Sequence, residues 1–131
     1  MHLQYVVLCD QAIIANDGKP SLIGIFNEIQ TATVPTTLPR VSFASRLLFT
    51  DDETGRSYRI EVRITDPSGA EIGRPGGDVT LPAARPGIDT IAVDLPLQFE
   101  MLELPVAGRY TFLLHVDDKA VGGTQLMLRQ V

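Results

Sequence analysis

Residues 57–65 read SYRIEVRIT and residues 66–69 read DPSG, and these two stretches decide the fold. Apolar and charged side chains alternate through the first stretch, which is the period of a β-strand with one face on a core and the other in water. In the second stretch Asp66 stands at the first position of a turn, Pro67 at the second and Gly69 at the fourth, which is typical of a type I turn. The sequence therefore predicts a half-buried antiparallel strand that turns back into residues 70–72.

Short stretches of the same kind, separated by turn residues, recur along the rest of the chain. We predict the main ones at residues 3–15, 21–26, 41–50, 91–95, 108–116 and 120–131. No apolar series with helical spacing runs for three turns. Strands of this length and spacing predict an all-β fold, an antiparallel two-sheet sandwich with Greek-key, immunoglobulin-like connections and 7 to 8 strands. A barrel is the alternative.

Three details of the strand order follow from the sequence. Residues 51–56 are short, polar and contain a glycine, so residues 41–50 are expected to pair with residues 57–65 through a hairpin. Residues 34–40 contain two prolines, each of which removes a backbone donor, and are expected to cross between the sheets instead of forming a central strand. Pro96 is expected to end the ladder of its strand for the same reason.

Residues 104–110, LPVAGRY, carry the clearest marker of the fold. Tyr110 opens a late strand directly after a corner that contains Pro105 and Gly108. Immunoglobulin-like sandwiches place at this point a tyrosine whose hydroxyl binds upstream backbone. We therefore predict such a tyrosine corner at Tyr110.

Composition restricts the location and the partners of the protein. The chain of 131 residues predicts a single domain over residues 1–131, and a formal charge of -5 argues against a phosphate-binding surface for nucleic acid. Cys9 is the single cysteine. We expect neither a leader peptide nor a membrane span, since no basic segment followed by an apolar run and a cleavage site is seen and no apolar run has membrane length. We therefore expect a cytoplasmic protein that binds neither nucleic acid nor membrane.

The residue types needed for catalysis are scarce. His2 and His115 are the only histidines, the first near a terminus and the second within a strand, so neither is paired with an obvious nucleophile. Cys9 lies in an apolar stretch without a basic neighbour and reads as a small buried residue. Residues 73–77 are glycine-rich but lack the Lys and Ser or Thr of a phosphate loop. We expect no catalytic residues and no bound cofactor.

Acidic turns are the one metal-binding arrangement that the sequence allows. If each strand reverses the one before it, the turns at residues 16–17, 51–53 and 117–118 fall at one end of the sandwich. Carboxylates from neighbouring loops are ligands for calcium. The candidate ligands are Asp51, Asp52, Glu53, Asp117 and Asp118. The alternative is that these turns are acidic because they are solvated, and because Asp forms local hydrogen bonds in turns.

Apolar residues on faces that should meet water point to a second type of function. Leu113, residues 126–128 and the first hairpin are apolar where an alternating strand would be polar. The ordinary explanation is that the other sheet or the crossing segment covers them. The other explanation is self-association through a sheet face or edge.

Several short motifs together resemble a family of small, functionally uncharacterised microbial proteins of about this length. They are Leu8-Cys9-Asp10, Asp17-Gly18-Lys19, Leu22-Ile23-Gly24-Ile25-Phe26, Pro39-Arg40, Asp66-Pro67-Ser68-Gly69 and Gly108-Arg109-Tyr110-Thr111-Phe112. The resemblance implies a β-sandwich and brings no catalytic or binding residues. With it, the sequence predicts a non-enzymatic binding or protein-interaction module, with a protein partner or a second copy as its ligand. The alternatives are a calcium- or ligand-binding sandwich that uses the acidic loops, and an enzyme that uses carboxylates alone.

Overall fold

The computed structural model describes all residues from Met1 to Val131 and contains two β-sheets packed face to face. Ten strands build them, against the 7 to 8 expected; the additional ones, β3, β6 and β7, have at most five residues each. The strands are β1 (His2–Ile14), β2 (Pro20–Phe26), β3 (Glu28–Thr31), β4 (Thr36–Thr50), β5 (Ser57–Thr65), β6 (Glu71–Gly73), β7 (Gly76–Thr80), β8 (Thr90–Leu104), β9 (Gly108–Val116) and β10 (Lys119–Gln130). The only helix is one 3-10 turn at Asp51–Glu53, so the chain has no helix that could cross a membrane.

The order of strands is that of an immunoglobulin-like sandwich. The four-stranded sheet has the order β2-β1-β4-β8, and the six-stranded sheet has the order β3-β10-β9-β5-β6 with β7 also paired to β5. The neighbours β4 and β8 occupy the places of strands B and E in that fold. The three strands β5, β9 and β10 of the other sheet occupy the places of strands C, F and G. All neighbours are antiparallel except β3, which runs parallel to β10. The predicted two-sheet sandwich is confirmed.

Strand β5 and the turn after it form as their sequence predicts. The amide of Gly69 donates to the carbonyl of Asp66 over 2.9 Å, and Gly69 has φ +89°, a conformation that favours glycine. The Asp66 carboxylate accepts hydrogen bonds from the amides of Ser68 and Ala70 at 2.9 and 3.0 Å. The hydroxyl of Ser68 also donates to this carboxylate, over 2.6 Å, and it is the largest cause, ahead of the amides, of a pKa of Asp66 below its ordinary value.

The expected pairing of β4 with β5 is wrong. Strand β4 lies between β1 and β8 in the four-stranded sheet, whereas β5 pairs with β9, β6 and β7 in the other. The 3-10 turn at Asp51–Glu53 carries the chain from one sheet to the other. A short polar loop is compatible both with a hairpin within one sheet and with a crossing between two sheets. The small residues of β4 are a better indication of its position within its sheet. Ser42 and Ala44 are buried on its outer face, as they are in a strand with neighbours on both sides.

The two expectations based on proline are right in one part and wrong in the rest. The chain does cross from the six-stranded to the four-stranded sheet between β3 and β4, but the crossing takes residues 32–35 and does not extend to residue 40. Residues 36–40 belong to β4, and β8 continues through Pro96, which lies opposite Ala44. Strand β8 is an edge of its sheet, and an edge strand tolerates proline because one side of it needs no ladder donor. Pro39 lies in the part of β4 that has β8 as its only neighbour. Proline has no amide hydrogen, so it is disfavoured where a strand is paired on both sides. Pro39 and Pro96 each have a neighbouring strand on one side only, and both are therefore tolerated.

The hydrophobic core lies between the two sheets, and the tyrosine corner lies beside it, at the turn between β8 and β9. Nineteen buried residues form one cluster, with Phe43, Phe49, Tyr110 and Phe112 as its largest fully buried members. The hydroxyl of Tyr110 donates to the carbonyl of Val106 over 2.6 Å and accepts from the Val106 amide over 3.1 Å. The predicted tyrosine corner is confirmed, and its two bonds fix the turn between β8 and β9.

Candidate functional site at the first hairpin

The acidic turns do not gather as expected. Residues 51–53 and 117–118 lie at the same end, since Arg56 links them to the start of β5 and binds Asp117. The turn at residues 16–17 lies at the other end, because β1 runs antiparallel to β4 and begins beside the end of β4. Strands β2 and β4 both run antiparallel to β1 and therefore run in the same direction. The short strand β3 between them adds a reversal that the sequence analysis did not include, and this moves the turn at residues 16–17 to the other end.

The carboxylates of the turn after β9 already form ion pairs with arginines and a hydrogen bond with a backbone amide. Asp117 Oδ2 lies 2.5 Å from Arg56 Nη2, and its Oδ1 accepts the amide of Arg59 at 2.9 Å. Asp118 Oδ1 lies 3.0 Å from Arg63 Nη2. Both aspartates have φ between +50° and +66°, as the two central residues of a tight type I′ hairpin do. Their role in the structure is to turn β9 into β10 and to tie that turn to β5.

The carboxylates of the 3-10 turn are also engaged. Glu53 accepts hydrogen bonds from the terminal amine of Met1 at 2.6 Å and from the amide of Thr50 at 2.9 Å. These bonds, chiefly the one from the amine, lower the pKa of Glu53 to about 2. The Asp51 carboxylate accepts a hydrogen bond from the amide of Asp52, and the Asp52 carboxylate accepts one from the hydroxyl of Thr50.

No group of three or more His, Cys, Asp or Glu side chains is arranged to hold a metal ion. The candidate ligands Asp51, Asp52, Glu53, Asp117 and Asp118 therefore receive no support as a set from the geometry. The calcium site stays a prediction, and a titration tests it.

The residues with nucleophilic or basic chemistry are held in unreactive settings. Cys9 is fully buried, and burial raises the pKa of its thiol, so the thiol stays protonated at neutral pH. His115 is buried opposite Glu61 in the β5–β9 ladder, and its Nδ1 lies 3.3 Å from the Leu113 carbonyl. Glu61 is paired with Arg63 at 3.2 Å. The ion pair with Arg63 compensates the burial of the Glu61 carboxylate, so a structural role explains this residue.

The feature that the rest of the structure does not account for is the first hairpin. After Cys9, strand β1 pairs with β2 alone, so residues 10–14 and 20–24 form a two-stranded ribbon that is separated from the beginning of β4. Its isoleucines remain in water. The exposed fractions are 41% for Ile13, 44% for Ile14, 51% for Ile23 and 60% for Ile25. Ile13, Ile23 and Ile25 lie on one face of the ribbon and form an exposed apolar patch, whereas Ile14 lies on the other face.

The register of β2 shows which way its isoleucines point. Leu8 lies opposite Phe43 of β4 on the core side and opposite Phe26 of β2. Cys9, the next residue of β1, lies opposite Ile25 and therefore faces away from the core. Ile23 follows Ile25 on the same face, opposite Gln11. The two most exposed isoleucines of the hairpin thus share the outer face of the four-stranded sheet, next to its free edge.

Strand β2 is also the least protected edge of the molecule. Natural edge strands discourage pairing with other chains by charge, proline, interruption or shortness. The other edges use these devices: β8 has Pro96, three carboxylates and Met101 at φ +54°, while β3, β6 and β7 have at most five residues. Strand β2 reads PSLIGIF, with no charge and its proline at the first position. Gly24 has φ +69°, yet the register with β1 does not shift across it.

A cleft of about 520 Å³ separates the hairpin from the beginning of β4. Gly24 lies on its wall, where a side chain would run into the carboxylate of Asp10. The cleft is lined by Asp10, Gly24, Ile25, Phe26, Glu28, Ile29, Leu38, Pro39 and Arg40. The lining of the cleft contains both apolar and charged residues. The neighbouring edge strand β2, in contrast, contains no charged residue.

The sequence indicated the apolar hairpin but not its place at an edge. Leu113 and Met127, two other apolar residues expected in water, are partly covered, and Leu126 and Leu128 are buried in the core. The ordinary explanation, cover by the other sheet, therefore holds for Leu126 and Leu128 and fails for the hairpin. Edge position is a tertiary property, and the signal available beforehand was the absence of charge from residues 20–26.

Two solved structures resemble this one in fold. One is the alkylpurine DNA glycosylase AlkC of Pseudomonas fluorescens, solved with DNA containing an abasic site analog, with a TM-score of 0.49 and 10% identity over 95% of this chain. This chain spans 30% of the length of that enzyme. The other is an immunoglobulin-like protein of Pseudomonas aeruginosa, with a TM-score of 0.43 and 13% identity over 98% of this chain and 95% of that one. At these values neither similarity carries an argument about function.

No curated protein matches the sequence at a significant level. A family model described as a family of unknown function, DUF6941, matches residues 4–129. This match covers nearly the whole chain and the entire sandwich, and the chain therefore belongs to that family.

Proposed function

We propose that the protein is a non-enzymatic protein-interaction module of the cytoplasm, and that its binding surface is the first hairpin. The observation that carries the proposal is the free edge of β2, which is uncharged and bears Ile23 and Ile25 in water. An exposed apolar edge is a liability for a monomer and a binding site for another chain.

The chemistry of a strand edge supports a protein ligand over a small molecule. An unpaired strand offers a row of amides and carbonyls that an extended chain satisfies by adding one more strand to the sheet. Isoleucines beside that row supply apolar area for side chains of the added strand. A sugar or nucleotide would need polar side chains, and residues 20–26 contribute only the hydroxyl of Ser21.

The settings of the reactive residues support the non-enzymatic part of the proposal. The Cys9 thiol is kept protonated, and the Glu61 carboxylate is paired with arginine. A single buried thiol without a disulfide partner is consistent with the reducing cytoplasm.

A photo-crosslinking amino acid placed at position 25 tests the proposal in cells of the source organism. We expect a crosslinked adduct with a protein when the probe replaces Ile25. The matched control places the probe at Ile88, which is exposed to 41% in the segment before β8. An adduct yield at position 25 no higher than at position 88 would reject the hairpin as the binding surface.

A further inference from the structure

We propose that a partner protein inserts an extended segment between strands β1 and β4, where the four-stranded sheet is forked. The two strands pair as far as Cys9 and Ser42 and then separate. Beyond this point residues 11–14 pair with β2 alone, and residues 36–41 have β8 as their only neighbour. Each strand therefore has one unpaired edge, and the cleft of about 520 Å³ lies between these two edges. The fork lies on the opposite side of the hairpin from the free edge of β2 and is an additional site.

The two facing edges select an extended chain as the ligand. An unpaired strand edge presents amides and carbonyls at the spacing of a ladder. A segment between two such edges forms ladder bonds on both sides, whereas a helix uses its backbone groups internally. Pro39 removes one donor from the β4 edge, but residues 10–14 contain no proline. Since β1 and β4 are antiparallel, the inserted segment runs parallel to one of them and antiparallel to the other.

The size and the floor of the cleft fit a short segment with apolar side chains. Its volume falls within the range of about 300 to 1,000 Å³ that ligand sites have. Five extended residues, the length of the β1 edge, span about 16 Å. Phe26, Ile29 and Leu38 line the cleft and also pack against the core. Because the side chains of a strand point to alternate faces, apolar residues at every second position of the segment would extend the core.

The lining also carries two charges of opposite sign that no ion pair neutralises. The Asp10 carboxylate lies over the bare backbone of β2 and has no cationic partner. Arg40 has no anionic partner, since the Glu100 carboxylate opposite it in the β4–β8 ladder binds a glutamine of its own strand. Glu28, the third charged residue of the lining, is already paired with Arg129. The cleft therefore favours a segment with a basic residue for Asp10 and an acidic residue for Arg40 between its apolar ones.

Hydrogen exchange of the full chain, with and without a bound peptide, tests the insertion. The probe is a synthetic peptide, enriched from a phage-displayed library of random decapeptides by panning on the purified chain. We expect the peptide to protect the amides of residues 10–14 and 36–41 together, because insertion gives both edges a partner. Protection of residues 20–26 alone would overturn the insertion and support the proposed function. Failure to enrich any peptide, or protection of one edge of the fork without the other, would also overturn it.

Charge variants test the selectivity of the cleft for the same peptide. Asp10→Lys and Arg40→Glu should each raise its dissociation constant about fivefold or more, because each replaces an attraction by a repulsion. Asp89→Lys is the matched control, since Asp89 is exposed in the segment before β8 and away from the cleft, and it should leave the constant unchanged. All three side chains are exposed, and equal thermal midpoints confirm that the variants fold. Equal affinity of wild type and both cleft variants would overturn the assignment.

Discussion

Replacing Tyr110 by phenylalanine tests the tyrosine corner with the loss of one oxygen atom. The ring is fully buried and keeps its packing in the variant. The hydroxyl, however, is removed from both the carbonyl and the amide of Val106, at 2.6 and 3.1 Å. Two backbone groups at the turn between β8 and β9 then lose their partner.

The expected loss of stability follows from these two bonds. Each contributes about 0.5 to 1.5 kcal/mol net, and a buried group left without a partner costs about 1 to 3 kcal/mol. Val106 is half exposed, so water replaces part of what is lost. We expect Tyr110→Phe to lower the free energy of unfolding by about 2 kcal/mol, which for a chain of this size corresponds to roughly 8 °C in the thermal midpoint.

Urea unfolding followed by circular dichroism measures the effect, with an unchanged m-value as the sign that the surface exposed on unfolding is the same. Tyr5→Phe is the matched control. Its hydroxyl makes one long contact, 3.4 Å from Asp94 Oδ1, and its loss should cost less than about 0.5 kcal/mol. A Tyr110→Phe variant as stable as Tyr5→Phe would refute the assignment of the corner as a stabilising element.

Three other predictions concern the hairpin, the central turn and the acidic end. Gly24→Ala should lower the free energy of unfolding by about 1 to 2 kcal/mol, because φ +69° disfavours a side chain and the added carbon meets the Asp10 carboxylate. Gly77→Ala, which meets nothing within 4 Å, should not be destabilised in the same urea experiment, and equal losses would contradict this reason. The lowered pKa of Asp66 means that its contribution is present above the ordinary value of 3.8 and is lost as pH falls through its value in the folded protein. Urea midpoints of Asp66→Asn and wild type should therefore differ at pH 7 and converge below pH 3.8; a difference independent of pH would count against it. Millimolar calcium should leave the thermal midpoint unchanged, because Asp117 and Asp118 are already paired with arginine, whereas a rise abolished by Asp117→Asn would establish a calcium site.

Local features of the fold were predictable because each depends on a few neighbouring residues. The turn at residues 66–69 needs only an Asp, a Pro and a Gly in the right order. The tyrosine corner depends on a tyrosine four residues after its acceptor. In each case the physical cause lies within about five residues of sequence, and the structure has the feature where it was expected.

The choice of partner strands was not predictable in the same way. Residues 51–56 suit a hairpin and a crossing equally well, and the difference arises from which strands pair with the two edges of β4, namely β1 and β8. The proline at position 96 gave a wrong prediction because its meaning depends on whether β8 lies at an edge. The same property, position at an edge, turns the uncharged residues 20–26 from a simple strand into a candidate site.

The parallel pairing of β3 with β10 has a consequence for how the chain folds. It brings Glu28 beside Met127 and Thr31 beside Gln130, residues separated by about a hundred positions, and such pairs form slowly because a long loop must close first. During synthesis the early hairpin is complete long before its neighbour in the other sheet exists. Strand β3, which follows the hairpin directly, therefore has no partner in its own sheet for most of translation, and it joins that sheet only when β10, the last strand, has been made.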